Sequence, residues 1–265
     1  MGLSNSEFDA CLTPVRKDGW TPLHDLAHNG RLLEIVGGAT AAQLAGPAAN
    51  DGLTPLHLAA RRGFLDQIKG GATAEQLCGV ATVDGFTALH CAAQNGHLDQ
   101  IKGGASADRL TGCLTKNGDT PLHEATNYGY LNQVAGGVTA EQLASVANIA
   151  GVTPLHLAAI QGYLKDIKGG ATAAQLSLVK DIHGRTPLFW AAAVGHLDQL
   201  SGEITLGQLM RSGKDYGKSG LLQAVAGHGL VWVILRLPRW IAASLKSGPA
   251  SHAGKNWSNA NARGK

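Results

Sequence analysis

The stretch GWTPLH at Gly19 returns as GLTPLH at Gly52, GFTALH at Gly85, GDTPLH at Gly118, GVTPLH at Gly151 and GRTPLF at Gly184, each step 33 residues long. An eroded seventh copy, GKSGLL, follows in register at Gly217. A fixed period of this size constrains the fold more than any other feature of the chain. It marks a unit too small to bury its own apolar face, so copies must stack to form a continuous core. The period also accounts for the composition. Of the 36 glycines in 265 residues, 23 fall at four recurring offsets of the first six units. The glycine excess is therefore architectural rather than low complexity.

The second unit shows the local logic. Thr54 is a good N-cap, and Pro55 takes the first helical position, where its missing N–H costs nothing. Leu56, Ala59 and Ala60 share one helical face, and the alanines let neighbouring helices approach closely. Gly63 supplies a left-handed residue to end the helix, and Leu65 with Ile68 forms the apolar face of a short second helix.

The segment DQIKGGATAEQL that follows, Asp66 to Leu77, admits two readings. A phosphate-binding loop would follow a strand, end in GK[ST] and occur once. Here the Gly-Gly pair recurs at Gly37, Gly103, Gly136 and Gly169, and the preceding lysine is elsewhere Val36 or Ala135. The pair reads instead as a helix stop. The threonine after it starts a capping box, which satisfies backbone donors at a helix start. Thr40, Thr73, Thr139, Thr172 and Thr205 are each followed three residues on by Gln43, Gln76, Gln142, Gln175 and Gln208. Ser106 with Arg109 is the one imperfect copy.

The units TPLHLAARRG (Thr54 to Gly63) and TPLHLAAIQG (Thr153 to Gly162) resemble the first helix of the ankyrin repeat, whose period is also 33. The resemblance covers residues 18 to about 215. It implies an all-α ankyrin-repeat solenoid of stacked helix-turn-helix units, each carrying an extra short capped helix. This variant looks like repeats found in many bacterial proteins and departs from the commoner two-helix unit. The expected organisation is an N-terminal half-repeat cap over 1–17, six repeats over 18–215, a degenerate seventh repeat or C-terminal cap over 216–246, and a disordered basic tail over 247–265.

Reactive residues are weighed against this architecture. His24, His57, His90, His123 and His156 occur once per unit. Stacked helices lie about 8–10 Å apart, too far for neighbouring imidazoles to share a zinc at about 2 Å. Each is read as hydrogen-bonding backbone in the adjacent turn, and Phe189 replaces it in the sixth unit without breaking register. Cys11, Cys78, Cys91 and Cys113 show no metal-ligand spacing and read as four free thiols in a reducing compartment. No nucleophile or acid-base couple stands out, so the chain is read as non-enzymatic, with no cofactor and no metal. The start MGLSNS carries no apolar run and fits the myristoylation pattern at Gly2, a short pattern that chance often produces. The expected location is cytoplasmic, with export to a host cell as an alternative.

Charge is unevenly placed. From Tyr216 onward there are seven Lys/Arg and no Asp/Glu, against 15 basic and 19 acidic groups before it. A mildly acidic body with a basic tail does not point to nucleic acid. Leu230 to Leu245 is apolar but broken by Arg236, Pro238 and Arg239, short of a membrane span. It reads as a terminal cap on the last repeat, and alternatively as a Trp- and Arg-bearing segment lying on a membrane surface.

Recognition should reside in what varies between units. The residue after the turn glycine reads Trp20, Leu53, Phe86, Asp119, Val152, Arg185. The pair before the helix-ending glycine also changes, and includes Arg61-Arg62 and Asn127-Tyr128. The resemblance implies that both rows face a concave groove. The expected partner of this monomeric chain is another protein, with Trp20, Leu53 and Phe86 as apolar anchors and with Arg61, Arg62, Asp119, Tyr128, Val152 and Arg185 beside them.

Overall fold

Six units stack in sequence order in the computed structural model, which describes residues 10–13 and 16–211. Each opens with an α-helix: α1 Pro22–His28, α3 Pro55–Arg62, α5 Ala88–Asn95, α6 Pro121–Asn127, α8 Pro154–Gln161 and α9 Pro187–Val194. Consecutive members of this set lie against each other. A three-residue 3-10 turn follows each, such as Leu65–Gln67 or Leu98–Gln100. The third element is a short α-helix in four units: α2 Ala41–Ala45, α4 Ala74–Cys78, α7 Ala140–Ala144 and α10 Leu206–Arg211. In the third and fifth units it tightens to a 3-10 turn, Arg109–Thr111 and Gln175–Ser177. Among the described residues there is no strand, only isolated bridges at Ala81–Thr87 and Ser106–Ala135.

The core is the column of Leu23, Leu56, Leu89, Leu122, Leu155 and Leu188, all buried, with paired alanines beside it in four of the six first helices. Small alanines at these positions leave room for the next helix to lie close. Leu32, Leu65, Leu98, Leu131 and Leu164 of the 3-10 turns are buried as well. Thr126 stands where other units carry the second alanine, and its buried hydroxyl is satisfied by donating to the Leu122 carbonyl at 2.7 Å.

Backbone stitches join unit to unit at two levels. At the turns, the amide of Val83 donates to Asp51, Lys116 to Asp84, Ile149 to Asn117 and Ile182 to Ala150. After the 3-10 turns, Lys69 donates to Ala39, Lys102 to Ala72, Ala135 to Ala105 and Lys168 to Val138. A side-chain rung adds to these. Gln67, Gln100, Gln133 and Gln199 each accept the amide of the leucine opening the previous unit's 3-10 turn, at 3.1–3.2 Å.

Every one of the 23 repeat glycines has a positive φ. Two cases show why. At Gly96 a Cβ would lie 2.5 Å from the Tyr130 ring, so the next unit's aromatic closes against bare backbone. At Gly70 nothing is close enough to clash, and φ +83 alone demands glycine. The Gly-Gly pair is not the helix stop expected from sequence. Ile68 is already extended, and Gly71 N–H bonds the Ile68 carbonyl at 2.9 Å. Gly70 is thus the left-handed third residue of a turn that comes after the helix has ended.

A second correction concerns the cysteines. Cys78 and Cys113 form a disulfide, with Cα atoms 5.9 Å apart, so four free thiols is wrong. Cys11 and Cys91 stand outside that bond, and both are buried. Stacking brings the last residue of α4 against Cys113, two residues past the third unit's 3-10 turn. The expected reducing compartment loses its support from cysteine usage.

The eroded copy at Gly217, the apolar stretch Leu230 to Leu245, the basic tail and Gly2 lie outside the described residues.

Candidate protein-binding surface

Each turn residue after Trp20 is held by the histidine one unit earlier. In His57 the ring Nδ1 accepts the Thr54 N–H at 3.2 Å, which places the proton on Nε2. Nε2–H then donates to the Phe86 carbonyl at 3.1 Å. The same arrangement joins His24 to Leu53, His90 to Asp119, His123 to Val152 and His156 to Arg185, at 3.0–3.1 Å. Thr54 also accepts the His57 amide through its hydroxyl oxygen, so Thr-Pro-Leu-His is a capping box with histidine at its last position. Both ring nitrogens are therefore engaged, and the stacked histidines are structural. Burial is the main force holding all five below their usual range, with His90 at about 4. They are neutral rungs at pH 7. Among the described residues no three His, Cys, Asp or Glu converge as a metal cluster would need.

The six turn residues lie half-buried. Trp20 is fixed three ways: its indole N–H donates to Asp25 at 2.9 Å, its ring lies 5.0 Å from His24, and the Arg16 guanidinium sits over it at 5.4 Å. Phe86 rests against His90 in the same manner, ring centroids 5.0 Å apart. Asp119 accepts a 2.7 Å bond from the Asn148 side chain. Arg185 pairs with Asp181 at 2.7 Å and lies 4.5 Å over the Trp190 ring. Burial pushes the Asp181 carboxyl up, but bonds from Arg185 and His183 outweigh it, and the group is held below its usual range.

The helix-end row is more open. Arg61 and Arg62 are exposed, and Arg62 reaches His28 of the previous unit at 2.9 Å. Tyr128 is 47% exposed, with its hydroxyl accepting from Gln94 at 3.3 Å. The position after the first-helix histidine places Leu58 and Cys91 in buried sites and Glu124 in a half-buried one. Burial, reinforced by Asp119, pushes the Glu124 carboxyl up to about 7. Burial likewise pushes the Cys91 thiol up to about 11, which makes it a packing group rather than a nucleophile.

The nine expected residues thus fall into two rows. Six line the turns, while Arg61, Arg62 and Tyr128 mark the helix ends. The most exposed apolar side chains of the turns were missed. They sit at the tips, three residues before Trp20 and its equivalents: Val83 at 56%, Ile149 at 72% and Ile182 at 65% exposed. That column, Lys17, Asn50, Val83, Lys116, Ile149, Ile182, varies as freely as the column that begins with Trp20. The variation was legible in sequence, but which of two variable columns faces outward was not.

Residues 36–103 match the family model for ankyrin repeats, three copies. A search of curated proteins gives no match.

Proposed function

We propose that the chain, whose residues 36–103 match ankyrin repeats, is a non-enzymatic ankyrin-repeat scaffold whose turn and helix-end rows bind another protein. Ankyrin repeats generally mediate protein–protein interaction. The observation that carries the reading is the set of exposed apolar tips. Val83, Ile149 and Ile182 stand out from turns whose backbones are bonded one to the next. Apolar groups held rigidly in solvent are what interfaces use, because little entropy is lost when a partner covers them. Trp20, Leu53 and Phe86 lie behind the tips as half-buried anchors, and Arg61 and Arg62 add charge that favours a partner with an acidic rim.

Within the same proposal the array over 18–215 carries recognition by a monomer, with 1–17 and 216–246 as caps and 247–265 as a basic tail. The location proposed is the cytoplasm, or delivery from it into a host cell. The alternative, a membrane-surface adaptor, would act through Leu230 to Leu245. No helix among the described residues is long and apolar enough to cross a membrane.

The test is affinity capture with the whole chain, followed by titration of the captured protein against two triple variants. One carries Val83→Ser, Ile149→Ser and Ile182→Ser; the other carries Trp20→Ala, Leu53→Ala and Phe86→Ala. Loss of about thirtyfold in affinity from hot-spot positions is expected in folded protein. If both folded variants bind as the parent does, the binding surface lies elsewhere.

A further inference from the structure

The third unit departs from its neighbours at the start of its third element. Where the others carry a threonine-glutamine box, it has Ser106 and Arg109, and Arg109 turns back to donate to the carbonyls of Gly103 and Gly104 at 3.2 and 3.0 Å. Its third element is only the 3-10 turn Arg109–Thr111. Two links to the second unit occur there: an ion pair from Arg109 to Glu75 at 3.3 Å, and the Cys78–Cys113 disulfide. The ion pair is largely exposed and weak in water. The covalent link is the strong one.

The disulfide also touches the binding rows. Cys113 Sγ lies 3.5 Å from the Thr87 hydroxyl, which is 2.8 Å from His90 Nδ1. His90 Nε2 donates to the Asp119 carbonyl at 3.1 Å. A second route is shorter in sequence. Two residues after Cys113, Thr115 bonds Asp119 through both its backbone amide, at 2.9 Å, and its hydroxyl, at 3.1 Å. The cystine thus reaches the fourth unit's turn by two hydrogen-bonded paths.

We propose that Cys78–Cys113 is a redox-modification site, opened by a dithiol reductant, whose state sets the rigidity of residues 106–119. Cys78 is half-buried and Cys113 buried, so the incoming thiolate attacks Cys78 Sγ. A mixed disulfide forms on Cys78, and Cys113 leaves with the electron pair and takes a proton. The reductant's second thiolate then displaces Cys78, which is protonated in turn. The chain gains two thiols and the reductant becomes a disulfide. The reduced Cys113 S–H gives the Thr87 oxygen a donor that the cystine lacks. The Thr87 hydroxyl has a single proton, and His90 Nδ1 is the stronger acceptor for it. Reduction therefore alters hydrogen bonding at the helix cap under Asp119 as well as cutting the link between units.

The repeat itself supplies well-behaved variants. Positions equivalent to Cys78 hold Ala45 and Ala144, and those equivalent to Cys113 hold Val80, Val146 and Val179. Cys78→Ala and Cys113→Val therefore restore residues the fold already uses. The experiment is amide hydrogen exchange on the full chain, oxidised and then treated with dithiothreitol, with disulfide mapping by mass spectrometry beforehand. Mapping should recover a Cys78–Cys113 peptide. Reduction should raise exchange at 106–113 about tenfold, with a smaller rise through Asp119. Cys78→Ala should match the reduced chain and no longer respond to dithiothreitol. No such linkage after mild oxidation, or equal exchange in the two states, would overturn the proposal. So would a Cys78→Ala chain that still responds to reductant. None of these readouts needs a binding partner, so failure here is distinct from failure of the proposed function.

Discussion

Replacing His90 by phenylalanine isolates what one rung contributes. The ring fits, because the sixth unit carries the buried Phe189 at the same offset. Three contacts disappear: the Thr87 N–H and hydroxyl lose their shared Nδ1 acceptor at 3.2 and 2.8 Å, and the Asp119 carbonyl loses its Nε2 donor at 3.1 Å. The buried Thr87 N–H is left without its acceptor, at about 1–3 kcal/mol, while the Asp119 carbonyl keeps the Thr115 amide and loses one bond worth about 1 kcal/mol, so His90→Phe should lower unfolding stability near neutral pH by about 2–4 kcal/mol. The pH dependence then supplies an internal check. Burial, against the bond to Asp119, holds His90 at about 4 when folded, below the usual 6.5. Its contribution is therefore fully present above 6.5 and is lost as pH falls toward 4, because the unfolded chain takes the proton first. Across that window the difference amounts to about 3 kcal/mol. Glu124 runs the other way, since its folded value of about 7 makes its contribution fade as pH rises from 4.5. It is common to both proteins and cancels in the comparison. Guanidinium unfolding followed by circular dichroism, near neutral pH and again in mild acid, makes the measurement. The parent should lose about 3 kcal/mol more than the variant on acidification. If His90→Phe is as stable as the parent near neutral pH, or loses just as much in acid, the rung is not a hydrogen-bonded support.

Four further outcomes are expected. Gly70→Ala should cost about 1–2 kcal/mol through its positive φ alone, since nothing lies near its missing Cβ; an unchanged melting temperature would count against this. Leu89→Ala, at a fully buried position, should cost about 2–5 kcal/mol in chemical unfolding, and a loss under 1 kcal/mol would mean the core column is not close-packed. Cutting the chain between Ala150 and Gly151 removes the His123–Val152 rung and the contact of α6 with α8, so both fragments should melt lower and less sharply than the whole. Gln100→Ala strips the acceptor from the Leu65 amide and should speed hydrogen exchange there without moving distant units.

The amino-acid sequence by itself determined whatever is closed within a few residues or repeated by the period. Thr54 and Pro55 start a helix, Gly63 ends it in the left-handed region, and Thr73 with Gln76 closes a cap. Each of these depends on neighbours three or four positions away. That no unit could bury Leu56 alone dictated stacking, and stacking dictated the all-helical array. The histidine's bond to an adjacent turn was also legible, because the residue recurred once per unit at a helix start. Its second bond, which makes it half of the cap, was not, because histidine stands where glutamate or glutamine is the usual signal.

Tertiary structure decided the contacts whose spacing is not the period. Histidine reaches a carbonyl 29 residues on, glutamine accepts an amide 35 residues back, and Cys78 meets Cys113 across 35. Such offsets depend on the sideways step between stacked units, which a one-dimensional period leaves undefined. Folding of each turn also rests Trp20 and Phe86 on the histidine rings four residues on in their own units and leaves Val83, Ile149 and Ile182 in solvent. Both columns vary, both hold apolar residues, and both flank the same glycine. Only the folded turn, which lays one column on its own helix and points the other outward, separates an anchor that is half-covered from a tip that stands free.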